Sequence, residues 1–284
     1  MVPAPAAMLL RSWLFCPGST PGRFEKASAC GTDAVIVDLE DAVAPDDKAA
    51  ARAAALAWLG GTDRAGAARC LRSNALRTAA GLRDVLALVD GGVAPDFLVI
   101  PKTETADEMA LLDTLLIGSC SRTQFLPLVE TARGVVHAEE IAAHPRVAGL
   151  VLGGADLAAD LGAVMDWEPL LYARSRLVHA AATAGIAVID VPRLDLGDEA
   201  GLREETQRVR RLGFTGKLAI HPGQVATIND AYTPDDADVA RARRIVAAVQ
   251  AARGGVAVVD GRMVDAPVVR AAERVLARAE RVRS

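Results

Sequence analysis

Two carboxylates stand at equivalent places in neighbouring stretches of the chain. Glu130 follows the apolar run FLPLV and Asp156 follows the run LVLGGA, and a segment with helical spacing separates the two. Strand–acid units joined by a helix belong to a parallel α/β fold, which presents both acids at the same end of its sheet. Two hard oxygen ligands held this way can bind Mg²⁺ and leave coordination sites for water and substrate. We therefore predict a magnesium site at Glu130 and Asp156; the alternative is that both acids cap helices.

Other polar side chains follow other apolar runs. Arg72 has a planar guanidinium that suits a bidentate grip on a substrate carboxylate, although an ion pair with Asp38 or Glu40 would explain it equally well. Asp38 or Glu40 could orient metal-bound water, or the two acids could form a network that fixes Arg72, Lys102 or Arg11. Lys102 could be a Schiff-base nucleophile. An electrostatic role in substrate binding is favoured for it, because a second electrophile would be redundant beside a metal.

A glycine pair precedes Asp156. Gly153 and Gly154 let the backbone come close to a ligand, and the N–H groups of Gly153, Gly154 and Ala155 at the start of the next helix could bind an anionic group of the substrate. His221, which precedes a proline, is interpreted as a structural hydrogen bonder. Zinc is disfavoured because the four histidines lack the H-E-x-x-H or a similar spacing.

The elements that must position these residues are short, nearly continuous apolar runs separated by segments with helical spacing. Such runs are typical of strands buried on both faces. Eight alternating units predict a closed (β/α)₈ (TIM) barrel, whose active face is formed by the C-terminal ends of the strands. An open dinucleotide-binding sheet is disfavoured, because no G-x-G-x-x-G turn follows the first run. The predicted strands are 12–18, 34–41, 69–74, 97–102, 125–130, 149–156, 187–192 and 217–222.

The pattern changes after Tyr232. A long helix is predicted over 235–253, a hairpin around Asp260-Gly261 and a final helix over 267–282. We therefore divide the chain into a barrel over 1–232 and a helix–hairpin–helix extension over 233–284. The extension is too small to be an independent domain, and it is expected to pack on the barrel or on a neighbouring subunit, or to act as a lid.

Composition sets further limits. The 284 residues carry a formal net charge of −4 and are 51% hydrophobic, which allows one large domain and gives no reason to expect nucleic acid. No apolar run is long enough to span a bilayer. The four cysteines are widely spaced and form no C-x-x-C pair, which favours a reduced, cytoplasmic location.

The chain resembles the HpcH/HpaI aldolase/citrate lyase superfamily, and within it the citrate lyase β-subunits and their stand-alone CitE-like relatives. Each motif alone is weak, but their order and spacing together are specific. The matching stretches are RSWLFCPGSTPGRFEKA from Arg11, AVIVDLEDAVAPDDKAAAR from Ala34, RSNA from Arg72, VIPKTET from Val99, LVETARG from Leu128, GGADLAADLG from Gly153, RSRLVHAAATAGIAVIDVP from Arg174, RLGFTGKLAIHPGQVATIN from Arg211 and DGRMVDAP from Asp260.

The resemblance implies a TIM barrel that assembles as a homotrimer or hexamer, with Mg²⁺ on Glu130 and Asp156 and with Arg72 on the oxo acid. It also implies that a C-terminal segment closes over a neighbouring subunit's site and supplies an acid, which the motif places at Asp265. From its position before Ala266-Pro267, Asp265 would otherwise be read as a helix cap. Arg11, with which the first motif begins, is assigned to substrate binding.

The predicted function is a Mg²⁺-dependent carbon–carbon lyase that cleaves a citryl-CoA-like 3-hydroxyacyl thioester into an acetyl thioester and oxaloacetate. Its catalytic residues are predicted to be Arg72, Asp265, Asp38 and Glu40. Alternatives on the same scaffold are a malyl-CoA or citramalyl-CoA lyase, a malate synthase-like condensing enzyme and a thioesterase. An alternative of another class is a non-catalytic binding subunit of a lyase complex. Free CoA and an acyl-carrier protein both remain open as the thioester carrier.

Overall fold

A computed structural model describes residues 6–61, 66–252 and 257–283. Eight parallel strands form a closed barrel in chain order, and the last strand pairs with the first, so the predicted TIM barrel is confirmed. Each predicted apolar run overlaps one strand and continues beyond its end. The strands are β1 Ser12–Pro17, β2 Ala34–Asp38, β3 Ala68–Arg72, β4 Phe97–Ile100, β5 Gln124–Val129, β6 Gly149–Leu152, β7 Ala187–Asp190 and β8 Gly216–Ala219. Strands β3, β5 and β8 begin one residue before the predicted run.

Both faces of the strands are buried, which explains why the runs are continuously apolar. Alternate side chains fill the inside of the barrel, including Trp13, Ile36 and Leu126. Their neighbours along the same strands, such as Val35, Val37 and Phe125, face the surrounding helices. The two-residue period of a strand therefore decides which residues at the strand ends face the barrel axis and which face the helices.

Helices surround the barrel, and capping residues define several of their ends. Thr105 and Glu108 form a capping box at the start of one helix, and Gly92 and Gly185 end two others in the left-handed conformation. The helices are α1 Phe24–Ser28, α2 Lys48–Leu59, α3 Ala79–Gly91, α4 Ala106–Leu115, α5 Ala132–Val136, α6 Ala138–Ala142, α7 Gly154–Asp160, α8 Trp167–Ala184, α9 Glu199–Leu212, α10 Val225–Tyr232, α11 Asp236–Ala252 and α12 Ala266–Arg283.

Beyond the barrel, α11 is followed by the antiparallel strands β9 Ala257–Val259 and β10 Arg262–Val264, and then by α12. Asp260 and Gly261 have φ angles of 52° and 75°, as a tight hairpin turn requires. A small apolar cluster joins the two helices around Ala242, Ile245 and Ala272. Residue 253, the last of the predicted first helix, lies outside the described residues.

The extension also contacts the barrel. Helix α12 packs against the short 3₁₀ turn Ala6–Leu9, and the guanidinium of Arg278 lies 5.9 Å from the ring centroid of Tyr232. Among the helices that the structure describes, none is long and apolar enough to cross a membrane.

Candidate functional site

A cavity of about 500 Å³ opens at the C-terminal ends of the barrel strands. It contains most of the predicted site residues, because parallel strands bring their C-terminal ends to one face. The predicted residues in its wall are Asp38, Arg72, Glu130, Gly153, Gly154, Ala155 and Asp156.

Glu130 directly follows β5 and is only 3% exposed. Its Oε1 accepts a hydrogen bond of 2.8 Å from the backbone N–H of Lys102, which has an unusual φ of 53°. Burial, with the nearby charges of Glu40 and Asp156, raises the pKa of Glu130 to about 8, although the Lys102 hydrogen bond and charge act against it. The surroundings of Glu130 thus supply too little positive charge to stabilise the ionised form of its buried carboxylate.

Asp156 lies in the first turn of α7, and its side chain is about half exposed. Gly153 lies against Glu130 so closely that a Cβ added there would meet the Cβ of Glu130 at 2.5 Å. A Cβ on Gly154 would meet Val191 at 2.7 Å. The glycine pair therefore lets the start of α7 approach Glu130 and the loop after β7, which brings the two acids into one cavity.

Arg72 is held firmly at the end of β3. Its Nε and Nη2 donate to the two carboxylate oxygens of Asp38 at 2.6 and 2.7 Å, and its guanidinium stacks over Phe15 at 4.7 Å. Burial opposes the charge, but the hydrogen bond and charge of Asp38 outweigh burial and raise the pKa of Arg72. The side chain is thus both an ion-pair partner of Asp38 and part of the cavity wall, which combines the two roles considered for it.

Glu40 lies between the two basic groups of the site. Its Oε1 accepts a hydrogen bond of 3.0 Å from Lys102 Nζ, and its Oε2 lies 3.1 Å from Arg72 Nη1, without the geometry of a hydrogen bond. Burial raises the pKa of Glu40, and the Arg72 charge partly offsets that effect. Lys102 Nζ is also 3.3 Å from Asp156 Oδ2. The Lys102 ammonium therefore lies between the carboxylates of Glu40 and Asp156, and its contacts with both are electrostatic.

These contacts allow a test of whether the residues fit a bound Mg²⁺. No group of three or more His, Cys, Asp or Glu side chains suited to a metal occurs in the described part of the chain. Glu130 and Asp156 supply two oxygen donors on one cavity wall, which suits a hard cation that keeps water and substrate as further ligands. The raised pKa of Glu130 indicates that an additional positive charge would be stabilised there. The donor set fits Mg²⁺.

The sequence matches the family described as HpcH/HpaI aldolase/citrate lyase over residues 11–222. The chain belongs to this family. A second match, to the C–C bond lyases of the TIM-barrel fold, covers residues 170–282 and thus includes most of the extension.

Known members of the HpcH/HpaI family match along nearly the whole chain. The L-malyl-CoA/beta-methylmalyl-CoA lyase of Cereibacter sphaeroides is 37% identical over 310 residues, which cover 99% of this chain and 98% of the relative. The citrate lyase subunit beta of Leuconostoc mesenteroides is 36% identical, with 94% and 92% covered. The structure of CitE from Mycobacterium tuberculosis in complex with magnesium, acetoacetate and coenzyme A has a TM-score of 0.80 and 37% identity, with 97% and 99% covered.

Arg11 does not belong to the site of this HpcH/HpaI family member. It precedes β1, so the length of that strand, roughly 20 Å, separates it from the C-terminal face. Its guanidinium forms a two-point ion pair with Asp33 and donates to Thr233 at 2.9 Å. The prediction that Arg11 binds substrate is therefore wrong, because the side chain ties the opposite end of the barrel to the loop before α11.

Asp265 caps α12 in this family member. Its Oδ1 accepts a hydrogen bond of 3.2 Å from the N–H of Val268, and the side chain is exposed. Asp265 is not among the described residues that line the cavity of its own chain. This arrangement agrees with the cap expected from its sequence position, and it leaves a role in another subunit's site as a prediction.

Sequence reasoning missed the apolar part of the cavity wall. Phe15, Met165, Leu194, Leu218 and Ile220 all line the cavity. These residue types have no signature that separates them from core positions. Only their positions near strand ends could have identified them as cavity residues, because Phe15 and Leu218 lie on β1 and β8 and Leu194 follows β7.

Proposed function

We propose that this protein is a Mg²⁺-dependent carbon–carbon lyase of the citrate lyase β-subunit type. It cleaves a 3-hydroxyacyl thioester, such as a citryl-CoA-like compound, into an acyl thioester and a 2-oxo acid. The observation that carries the proposal is the meeting of Glu130, Asp156 and Arg72 on the wall of one cavity. The named activities of the relatives, which are lyases of malyl-CoA and citrate, support the same reaction class.

Glu130 and Asp156 would hold the metal. When bound, Mg²⁺ supplies Lewis-acid polarisation of a substrate oxygen and a template for the carboxylate beside it. Lys102 keeps Glu130 in place through its backbone N–H, and its ammonium offsets the charges of Glu40 and Asp156. The two predicted metal ligands are therefore oriented before any ligand enters, which lowers the cost of forming the site.

Arg72 stabilises negative charge at the other side of the reaction centre. Asp38 accepts hydrogen bonds from both Nε and Nη2 of Arg72, so the guanidinium keeps a fixed direction towards the cavity. In the cleavage step the substrate hydroxyl gives its proton to a water molecule in the cavity and becomes the carbonyl of the 2-oxo acid. The bond between the hydroxyl-bearing carbon and the carbon next to the thioester breaks, and its electron pair leaves on the thioester enolate.

The enolate must then gain a proton to give the acyl thioester. Asp265 of a neighbouring subunit is proposed as the acid, in a homotrimer or hexamer in which the extension over 233–284 closes an adjacent barrel. The support is the match of the second family over residues 170–282, together with the exposed position of Asp265 at the start of α12. Free CoA is proposed as the carrier, because the similar CitE structure contains coenzyme A.

We also propose a cytoplasmic location. Cys16, Cys30 and Cys70 form no disulfide within the described part of the chain, and two of them are buried as small apolar side chains. Reduced cysteines of this kind are typical of a reducing compartment.

A panel of CoA thioesters tests the function. The purified protein is incubated with each thioester and Mg²⁺, and release of the 2-oxo acid and of the acyl-CoA is followed separately. Equal release of both products that stops when EDTA is added supports the lyase. Release of free CoA without a 2-oxo acid would instead indicate a thioesterase.

A binding measurement separates the lyase from a non-catalytic subunit. Glyoxylate, pyruvate and oxaloacetate are each added with Mg²⁺, and the midpoint of thermal unfolding is recorded. A ligand that binds the native state raises this midpoint. Absence of protection by all three acids, together with absence of turnover, would contradict the proposed function and favour a subunit that only binds partners.

A further inference from the structure

The loop after β7, residues 191–197, separates two cavities. Its residues Pro192 and Leu194 line the cavity of the candidate site and also a second cavity of about 540 Å³, which is bounded by α8 and α9. Leu194 and Leu196 are 60% and 56% exposed. Because open space lies on both sides of this loop, the packing of its side chains does little to hold it in position.

Hydrogen bonds from side chains hold the loop after β7 instead. In the described part of the chain, no backbone–backbone hydrogen bond involves residues 191–197. The backbone carbonyl of Val191 accepts a hydrogen bond of 2.7 Å from Nζ of Lys217, and that of Arg193 accepts one of 2.8 Å from Nε2 of Gln224. The guanidinium of Arg193 also pairs with the acid that caps α9 and with another acid in that helix. The Gln224 amide is thus the backbone anchor further from the strand, and it acts on a peptide inside the loop.

Gln224 connects the loop after β7 to the loop after β8. Its Oε1 accepts hydrogen bonds from the backbone N–H groups of Ile220 and His221 at 2.9 and 3.3 Å, and the residue is only 4% exposed. Ile220 lines the cavity of the candidate site, as do Pro192 and Leu194. One buried amide therefore links three residues of the cavity wall that come from two loops.

Capping of the turn after β8 explains only some of these contacts. The Oε1 atom of Gln224 belongs to a capping box at the 3₁₀ turn Pro222–Gln224, in which His221 is the N-cap. The Nε2 atom has no part in that cap, because it donates to a carbonyl 31 residues earlier in the chain. A glutamate at this position would complete the capping box equally well, so the cap does not account for the amide.

We propose that Gln224 is a positioning residue of the candidate site, which joins the loops after β7 and β8 into one wall of fixed shape. A wall that is ordered before a ligand enters lowers the entropy cost of binding and of orienting the reacting groups. This role rests on the proposed lyase function, because the wall acts on a ligand of that cavity. The predicted metal ligands Glu130 and Asp156 follow β5 and β6, so metal binding itself does not depend on Gln224.

Binding of a 2-oxo acid gives the first test. Gln224→Met keeps the length of the side chain and removes both its donor and its acceptor. The probe is the 2-oxo acid that most raises the thermal midpoint of the wild type with Mg²⁺, and its dissociation constant, measured by calorimetry, should increase at least about fivefold. The dissociation constant of Mg²⁺ alone should stay within about twofold of the wild-type value. An unchanged affinity for the 2-oxo acid would overturn the inference.

Thr215→Val is the matched control. The hydroxyl of Thr215 bonds the backbone N–H and the carbonyl of Val188 at 3.0 Å each, so it joins the start of β8 to β7, at the end of the strands opposite to Gln224. Urea unfolding should show a loss of stability in both variants, whereas the affinity for the 2-oxo acid should fall only in Gln224→Met. An equal fall of affinity in both variants would show that Gln224 acts through overall stability and would contradict the positioning role.

A pH-dependent rescue gives the second test. Gln224→Glu retains the Oε1 acceptor, but its carboxyl group can donate to the carbonyl of Arg193 only when it is protonated. The dissociation constant of the 2-oxo acid, taken relative to that of the wild type at each pH, should therefore fall towards equality between about pH 8 and about pH 5. Binding by Gln224→Glu that is as weak as that of Gln224→Met throughout this range would refute the role of the Nε2 hydrogen bond.

Proteolysis tests the hold on the loop without any ligand. Trypsin cleaves after Arg193 when the loop after β7 opens, and mass spectrometry identifies the fragments. Cleavage at this bond should be at least about fivefold faster in Gln224→Met than in Thr215→Val, and equal rates would overturn the inference. A wild type that binds none of the 2-oxo acids and cleaves no thioester would overturn the proposed lyase function instead, so the two failures are distinguishable.

Discussion

The backbone N–H of Lys102 donates to Oε1 of Glu130 at 2.8 Å, and Lys102 adopts a φ of 53° to do so. A non-glycine residue in this left-handed region is uncommon and slightly strained. The same residue places its ammonium 3.3 Å from Asp156. One residue thus orients the first predicted metal ligand through its backbone and offsets the charge of the second through its side chain.

The raised pKa of Glu130 predicts a pH dependence of stability in the metal-free protein. The folded-state pKa of about 8 exceeds the ordinary value of 4.5 because burial disfavours the charged form, so the folded protein binds this proton more tightly than the unfolded chain. The contribution of Glu130 to the free energy of unfolding is complete below pH 4.5 and is lost as the pH rises through about 8, by at most about 1.4 kcal/mol per pH unit.

Urea unfolding in EDTA, between about pH 6 and about pH 9, measures this slope. The variant Glu130→Gln keeps the size of the side chain and removes its titration, so its slope should be smaller than that of the wild type. Parallel slopes for the two proteins would refute the assignment of the titration to Glu130.

Gly153→Ala is expected to weaken Mg²⁺ binding by at least about tenfold, because the new Cβ would meet the Cβ of Glu130 at 2.5 Å and push the carboxylate aside. Calorimetric titration with Mg²⁺ measures the affinity without any need for turnover. Gly91→Ala serves as the control, since its Cβ would meet its nearest neighbour at an ordinary 3.6 Å. An unchanged Mg²⁺ affinity in Gly153→Ala would mean that Glu130 is not a ligand.

Arg72→Met should lower kcat/KM by at least about 100-fold and destabilise the fold by about 3 kcal/mol, because Asp38 loses its two-point partner in a largely buried place. The double variant Asp38→Asn with Arg72→Met removes the uncompensated carboxylate. It should regain part of the lost stability, measured by urea unfolding, but none of the activity. Recovery of activity in the double variant would show that Arg72 has a structural role only.

Complementation between two variants can test whether Asp265 acts in the site of a neighbouring subunit. Asp265→Asn is expected to fold normally, because asparagine also caps helices, yet to lose most of its activity. If Asp265 acts in another subunit's site, co-expression of this variant with Glu130→Ala should restore activity in about a quarter of the sites of a mixed oligomer. Absence of any recovery in verified mixed oligomers would place Asp265 within its own subunit's chemistry or outside the reaction.

The eight-stranded barrel was predictable because burial on both faces leaves a continuous apolar run for each strand. The placement of Glu130 and Asp156 was predictable for the same reason, since each lies directly beyond such a run and parallel strands share one C-terminal face. Arg72 could be located in the same way, although its partner among Asp38 and Glu40 depends on side-chain directions that only the packed structure supplies.

Residues at strand ends were harder to assign. Asp190 ends β7, yet its side chain is fully buried among the surrounding helices, where it pairs with Arg174 and Lys217 at 3.0 and 2.8 Å. One step along a strand reverses the face that a side chain occupies, and a continuous apolar run gives no sign of this phase. Arg11 was misassigned for a related reason, because a motif marks a stretch of sequence but not which end of the strand faces the substrate.

The pairing of β1 with β8 has a consequence for how the protein must be made. Ser12 lies beside Lys217, so the ring closes only after more than two thirds of the chain has left the ribosome. Until then β1 and the most recently synthesised strand expose unpaired backbone groups, which favour pairing with other chains. During synthesis the unclosed edges are therefore the part of this protein most in need of shielding by a chaperone.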